Sequence, residues 1–228
     1  MTVYAARIVT FVVLPLAAAV AINRFDGSIR TRAQRLEVYL IYLFGLGVAG
    51  GGIGGAFGHL FLSDLVAEAV GWGIGSPFQL EMGFANLALG VLGLIAVGRR
   101  DGFREATVVA VTAIGVGATI VHLIDIVQTG NLAPGNTLQN IANLAKPLLL
   151  IAFLRASGKA DSTANLTPIQ HHGPAVGWLT AIVSTAFGVG YAIDHVLLAT
   201  AIGILISVIG VWFFVGQRRG TTSDHPGR

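Results

Sequence analysis

Lysine and arginine fall between the long apolar runs of this chain, and only in alternate gaps. The gap after the first run holds Arg24, Arg30, Arg32 and Arg35, and the one after the third holds Arg99, Arg100 and Arg104. The next basic gap holds Arg155 and Lys159, and the tail holds Arg218, Arg219 and Arg228. Loops that stay in the cytoplasm keep their Lys and Arg, so the alternation predicts successive loops inside, outside and inside. Two cations break the pattern: Arg7, near the amino terminus, and Lys146, within an apolar run.

Hydrophobic residues make up 54% of the 228 residues and charged residues 11%, against about 25% charged in an ordinary soluble domain. A chain this apolar reads as an all-α integral membrane protein, with the lipid bilayer as its first partner. The basic pI near 9.7 comes from cations in short loops, where they orient the chain and meet anionic headgroups. That placement argues against nucleic acid as a partner. The chain has no cysteine, so it holds no disulfide, thiolate metal site or iron–sulfur cluster.

A helix needs about 20 apolar residues to cross the hydrocarbon core. The runs predict a bundle of about seven transmembrane helices, at 8–22, 38–62, 78–98, 105–128, 138–154, 175–193 and 196–216. The last two divide one apolar stretch near Asp194, because an odd number of spans keeps Arg218 and Arg219 on the side of Arg24. The expected arrangement has the amino terminus outside and the carboxyl terminus in the cytoplasm. It forms a single transmembrane domain over 1–219 with a disordered tail at 220–228, in the cell's inner or plasma membrane. Arg7, the first apolar run and Ala17-Ala18-Ala19 also resemble a signal peptide. Cleavage there would invert every later loop against the charge rule, so the run is expected to be retained. The loop at 155–174 carries His171 and His172, read as solvated.

The second run carries two glycine tracks at i,i+4 spacing: Gly47, Gly51, Gly55 and Gly50, Gly54, Gly58. Small residues at this spacing let helix backbones approach closely in lipid. The track serves packing within the chain, contact with a second copy or a membrane-complex partner, or room for a flat cofactor. Further on, Ser76 suits a helix N-cap, Pro77 the first helical position, and Gln79 the far side of a capping box. Trp72 suits the interfacial belt. Asn136-Thr137-Leu138-Gln139 reads as a second such start, opening the fifth span. Residues 71–86, Gly-Trp-Gly-Ile-Gly-Ser-Pro-Phe-Gln-Leu-Glu-Met-Gly-Phe-Ala-Asn, and the Gly-rich helix that follows resemble a functionally uncharacterised family of small bacterial and archaeal multi-pass membrane proteins. The likeness extends over roughly 60–156. It implies a helical membrane protein and supplies no activity.

Ionisable residues cluster toward the outer half of the predicted spans. His59 lies near the outer end of span two and Glu81 one turn inside span three. His122 and Asp125 share a face of span four, and Lys146 lies roughly 12 Å below the outer end of span five. Gln139 and Asn143 share a face with Lys146. Asp194 and His195 fall at the turn between the last two spans, and Asp64 in the interface. The cytoplasmic halves contain almost nothing ionisable. A charged residue at mid-helix costs about 2.5–3.5 kcal/mol on insertion scales, so Lys146 is expected to face Glu81 or Asp125, with His59 and His122 nearby. Pro147 beside Lys146 disturbs the backbone ladder and frees a carbonyl.

These residues predict an outward-facing charged cavity. Proton, ion or small polar solute transport is the function it suits first. Alternatively, His59, Glu81, His122 and Asp125 are candidate ligands for a metal, or His59 and His122 for a haem, in a membrane oxidoreductase. The glycine faces also fit a non-catalytic subunit or scaffold. The sequence names no cofactor and no substrate.

Overall fold

The computed structural model describes residues 3–29, 31–158 and 172–193, with 165, 166, 169, 198, 201–203 and 205. Every element assigned among them is helical. Six helices are long and apolar enough to cross a membrane: Val3–Phe25, Arg32–Phe61, Phe78–Gly98, Gly102–Thr129, Pro134–Gly158 and His172–Ala192. They are called the first to sixth spans below. The chain is a multi-pass membrane protein, with large apolar side chains such as Val109, Val127 and Leu148 exposed on its outer surface. Most of the expected seventh span at 196–216, the turn at Asp194 and His195, and the tail at 220–228 lie outside the described residues.

Most of the helices start before the apolar runs, because polar caps extend them. The second span begins at Arg32, six residues before the expected start at 38. There the Thr31 hydroxyl accepts from the Gln34 amide and the Gln34 side chain accepts from the Thr31 amide. The fourth begins at Gly102, with the Asp101 side chain accepting from Phe103 N–H. The fifth begins at Pro134 rather than at Asn136, since the proline occupies a first-turn position. At the third span, Ser76 Oγ accepts from Phe78 N–H. The expected capping box is not completed, because Gln79 turns inward to His59.

The second span is the hub. In its most apolar stretch 83% of residues are buried, against 22% in the third and fifth spans. It meets the third most tightly where glycine faces glycine: a Cβ on Gly52 would lie 2.5 Å from the Gly90 nitrogen. The two expected tracks also meet this chain's own atoms. Gly50 and Gly54 pack on Phe11, which in turn packs edge-on against Phe187 of the sixth span.

Prolines and glycines act in pairs across neighbouring spans. Pro15 has no N–H, so the Phe11 carbonyl four residues earlier loses its ladder partner, and the first span widens into a π-helical stretch at Val9–Val13. Gly47 lies against that freed carbonyl, 3.3 Å from it even at the position of an added Cβ. Gly47 itself belongs to a second π-helical stretch, Leu43–Gly50. Pro147 likewise frees the Asn143 carbonyl, and a Cβ on Gly115 of the fourth span would run into that oxygen.

The two ends of the bundle differ. The basic end gathers Arg24, Arg35, Arg99, Arg100 and Arg104, with Asn23 Nδ2 donating to the Arg35 carbonyl across the first turn. The other end is built around Trp72 and the short helix Ser63–Val70. It is called the Trp72 end below.

Candidate functional site

A cavity of about 310 Å³ opens at the Trp72 end. All of the first five spans contribute to its walls: Tyr4 and Arg7 from the first, His59 from the second, Gln79 and Asn86 from the third, His122 from the fourth, and Gln139 and Asn143 from the fifth. Val66, Val70, Phe78, Met82, Ile114 and Val121 make the rest of the lining largely apolar. Among the described residues, no Asp or Glu lines it. Its volume lies at the small end of the range for small-molecule sites. A narrower recess shares Tyr4, Arg7 and His59 and runs toward Phe187 and Tyr191 of the sixth span.

A hydrogen-bonded cap closes one side. Asp125 Oδ2 accepts from Trp72 Nε1 at 2.9 Å, Asn131 Nδ2 at 2.8 Å and Asn136 Nδ2 at 2.9 Å. Thr129 Oγ1 donates to the other oxygen at 3.2 Å. Because Asn136 Nδ2 also donates to the Asn131 carbonyl, its Oδ1 is left to accept from His122 Nδ1 at 2.7 Å. The Trp72 ring stacks on the His122 ring with centroids 5.2 Å apart. Asn131 further donates to the Val70 carbonyl, tying the short helix to the link between the fourth and fifth spans. Asp125 is therefore the anchor of the cap, saturated by four donors. Its partners Asn131 and Asn136 were not singled out from sequence as members of a site, although an Asn-rich link after a His–Asp helix face was a visible signal.

The floor holds donors. Gln139 Nε2 donates to Asn143 Oδ1 at 3.0 Å, which leaves Asn143 Nδ2 buried with no protein partner. Lys146 stands one turn below Asn143 on the same helix. Its Nζ lies 3.3 Å from where a Cβ on Gly51 would stand, and Arg7 Nη2 lies 2.9 Å from the equivalent point at Gly55. The two glycines are one turn apart on the second span, so both cations rest against bare backbone on one face. Arg7 is thus a second cation beside the face on which Lys146 rests.

Toward the basic end the path is filled. Tyr42, Leu43, Phe44, Leu46 and Leu150 are fully buried below Lys146. Beyond them Arg104 reaches Glu37 through two bonds, Nη1 to Oε2 at 2.8 Å and Nη2 to Oε1 at 2.9 Å. Arg100 Nε adds a third at 2.8 Å, and Arg104 Nε donates to the Ala96 carbonyl. Glu37 and Arg104 are both 3% exposed. The expectation of a basic-end half almost free of ionisable groups is thus corrected. Glu37 was overlooked because it stood one position before the expected start of its span. His172, read as solvated, is buried at the start of the sixth span, with Nε2 3.4 Å from Asp26 Oδ2. His171 lies outside the described residues.

Of the expected site residues, His59, His122, Gln139 and Asn143 line the cavity, and Lys146 lies beneath it. Glu81 is exposed, on a different face of the third span from Gln79. The expected pairing of Lys146 with Glu81 or Asp125 is not formed: Asp125 is consumed by the cap and Glu81 points away. Among the described residues, no three His, Asp or Glu side chains come together to hold a metal ion, so His59, Glu81, His122 and Asp125 remain apart as a ligand set. His59 Nδ1 instead donates to Gln79 Oε1 at 2.7 Å. Tyr4, Arg7 and Asn86 are polar cavity residues that were not expected there from the sequence. The signal for Arg7 was its position, since it is a cation on the side that the charge rule keeps free of them.

Compared with curated proteins and with solved structures, the chain matches none. Residues 5–163 match the model of DUF6790, a family of unknown function, and the chain belongs to that family.

Proposed function

We propose that this protein transports a small polar solute or ion across the membrane, and that the cavity at the Trp72 end is its outward-facing entry site. The observation that supports this best is the cavity itself. Five spans converge on a space whose largely apolar wall carries polar groups down to Asn143, with Lys146 beneath it, while apolar packing and the Glu37–Arg104–Arg100 cluster fill the other half. A half-open path of this kind is what one state of an alternating or gated carrier needs. The two π-helical stretches lie side by side at the level of the apolar packing, where a weaker backbone ladder permits rearrangement. The charge rule puts the basic end in the cytoplasm and the amino terminus outside, in the inner or plasma membrane.

The test is flux into liposomes that contain the purified protein, followed with an entrapped pH-sensitive dye and with a panel of small organic anions, cations and polyols. Protein-dependent flux of at least one of them is expected, lost in Ala118→Trp, which places an indole on the cavity wall. A thermal melt shows that the variant still folds. Panel-wide rates equal to those of empty liposomes would overturn the reading. Orientation is checked separately: the chain has no cysteine, so single Ser76→Cys and Gly102→Cys variants are labelled from outside with an impermeant maleimide. Ser76→Cys alone is expected to react.

A further inference from the structure

We propose that the ligand of this cavity is a small organic anion of the monocarboxylate type, its charged group held at the floor by Asn143 Nδ2, Arg7 and Lys146. This deepens the transport reading and rests on it only in taking the cavity as a ligand site.

Three observations carry it. The first is the sign of the lining. Arg7 lines the cavity and Lys146 lies below it, while no described Asp or Glu faces it. The carboxylates at this end are directed elsewhere: Asp125 into its four donors, Asp64, Glu68 and Glu81 onto the exposed surface. The second is that, among the described residues, neither Arg7 nor Lys146 has an ion pair or a side-chain hydrogen bond, although both sit within the span region. Two cations of this kind repel each other in a low-dielectric setting and favour an anion between them. The third is Asn143 Nδ2, a buried donor with no acceptor, one turn above Lys146. Asn143 lines the cavity, and buried donors are normally paired, so its unpaired amide calls for an acceptor there.

The walls set the remainder of the ligand. About 310 Å³ holds roughly ten waters, and Val66, Val70, Phe78, Met82, Ile114 and Val121 surround the upper part. A compact apolar group on one anionic head fits this division better than a bare inorganic ion.

The experiment is a titration of tryptophan fluorescence, because Trp72 lines the cavity, in nanodiscs of zwitterionic lipid. The probes are butyrate, butyramide and butylammonium, which share a size and differ in charge. Saturable binding of butyrate alone is expected. It should weaken by about tenfold or more in Arg7→Gln and in Lys146→Gln, the loss of one charge-assisted contact. Asn143→Asp provides the folding control. It replaces the unpaired donor with a carboxylate near Lys146, so butyrate binding should be lost while the melting temperature holds or rises. Equal binding of all three probes, binding of butylammonium alone, or unchanged butyrate affinity in Asn143→Asp overturns the proposal. Repeating the titration in phosphatidylglycerol nanodiscs separates the source of the anion. Unchanged butyrate affinity indicates a free solute, whereas competition by the lipid assigns the site to an anionic headgroup and overturns the solute form. Butyrate binding without any liposome flux would leave the anion site standing and remove transport. Flux of cations or polyols without butyrate binding would do the reverse.

Discussion

Arg104 and Glu37 face each other as a fork, Nη1 on Oε2 and Nη2 on Oε1, on two spans that are 67 residues apart at this contact. Both side chains are almost wholly withdrawn from solvent. Removing Glu37 leaves Arg104 uncompensated and costs about 3–5 kcal/mol, whereas removing Arg104 leaves Glu37 still bonded to Arg100 and costs less. Glu37→Ala should lower the melting temperature in detergent markedly, and Arg104→Ala should lower it less. Arg104→Lys should be only partly tolerated, since an ammonium cannot reproduce the two parallel bonds. The double substitution Glu37→Gln with Arg104→Gln should recover part of the loss, as a melt of all four variants would reveal.

Asp125 is expected to govern the order of the cap. Asp125→Ala strands the donors of Trp72, Asn131 and Asn136, each of which bonds a charged acceptor at about 1.5–3 kcal/mol. Loop 71–77 should then exchange its amides faster, and Trp72 emission should shift to the red as its ring leaves His122. Hydrogen exchange and a fluorescence spectrum check both.

Glycines divide into two groups by what a methyl would meet. At Gly52 it would press on the backbone of Gly90, which cannot step aside, so Gly52→Ala should destabilise by about 1–3 kcal/mol. At Gly177, within the sixth span, no described residue lies within 4 Å of an added Cβ. Gly177→Ala should be neutral or stabilising by up to about 1 kcal/mol, because alanine is the better helix former. Chemical or thermal unfolding of the pair decides it.

Glu81→Gln is expected to leave both stability and ligand binding unchanged. Its side chain is exposed and makes no ion pair with Lys146. A clear loss of butyrate affinity in this variant would show that Glu81 reaches the cavity.

Six of the expected spans were legible because apolar length is a local property. The third span matched its expected bounds, 78–98, since Pro77 fixes its start and Arg99 follows its end. Other helices were expected too short where polar caps such as Thr31 and Asp101 prolonged them. Side-chain partners were much less legible. Depth placed His59, His122, Asn143 and Lys146 at one end correctly, but depth does not fix rotation about a helix axis. Glu81 lies two residues after Gln79, and that is enough to turn it from the bundle interior to the surface. Asp125 shares a face with His122 as expected, yet a three-residue-spaced pair does not reveal that asparagines from a later link will saturate it.

The proline–glycine contacts carry a consequence for how this sequence can change. Pro147 and Gly115 sit on different spans, yet each is needed because of the other: the proline unlocks a carbonyl, and only a residue without a side chain leaves room for it. Pro15 and Gly47 stand in a looser version of that relation, since a methyl on Gly47 would lie 3.3 Å from the Phe11 carbonyl. Replacing the proline alone would restore a ladder bond and relax the demand for glycine, whereas enlarging the glycine alone would meet a carbonyl fixed in its way. In divergent members of the family, the order of substitution should follow that asymmetry, with the proline leaving first and the glycine free to drift only afterwards.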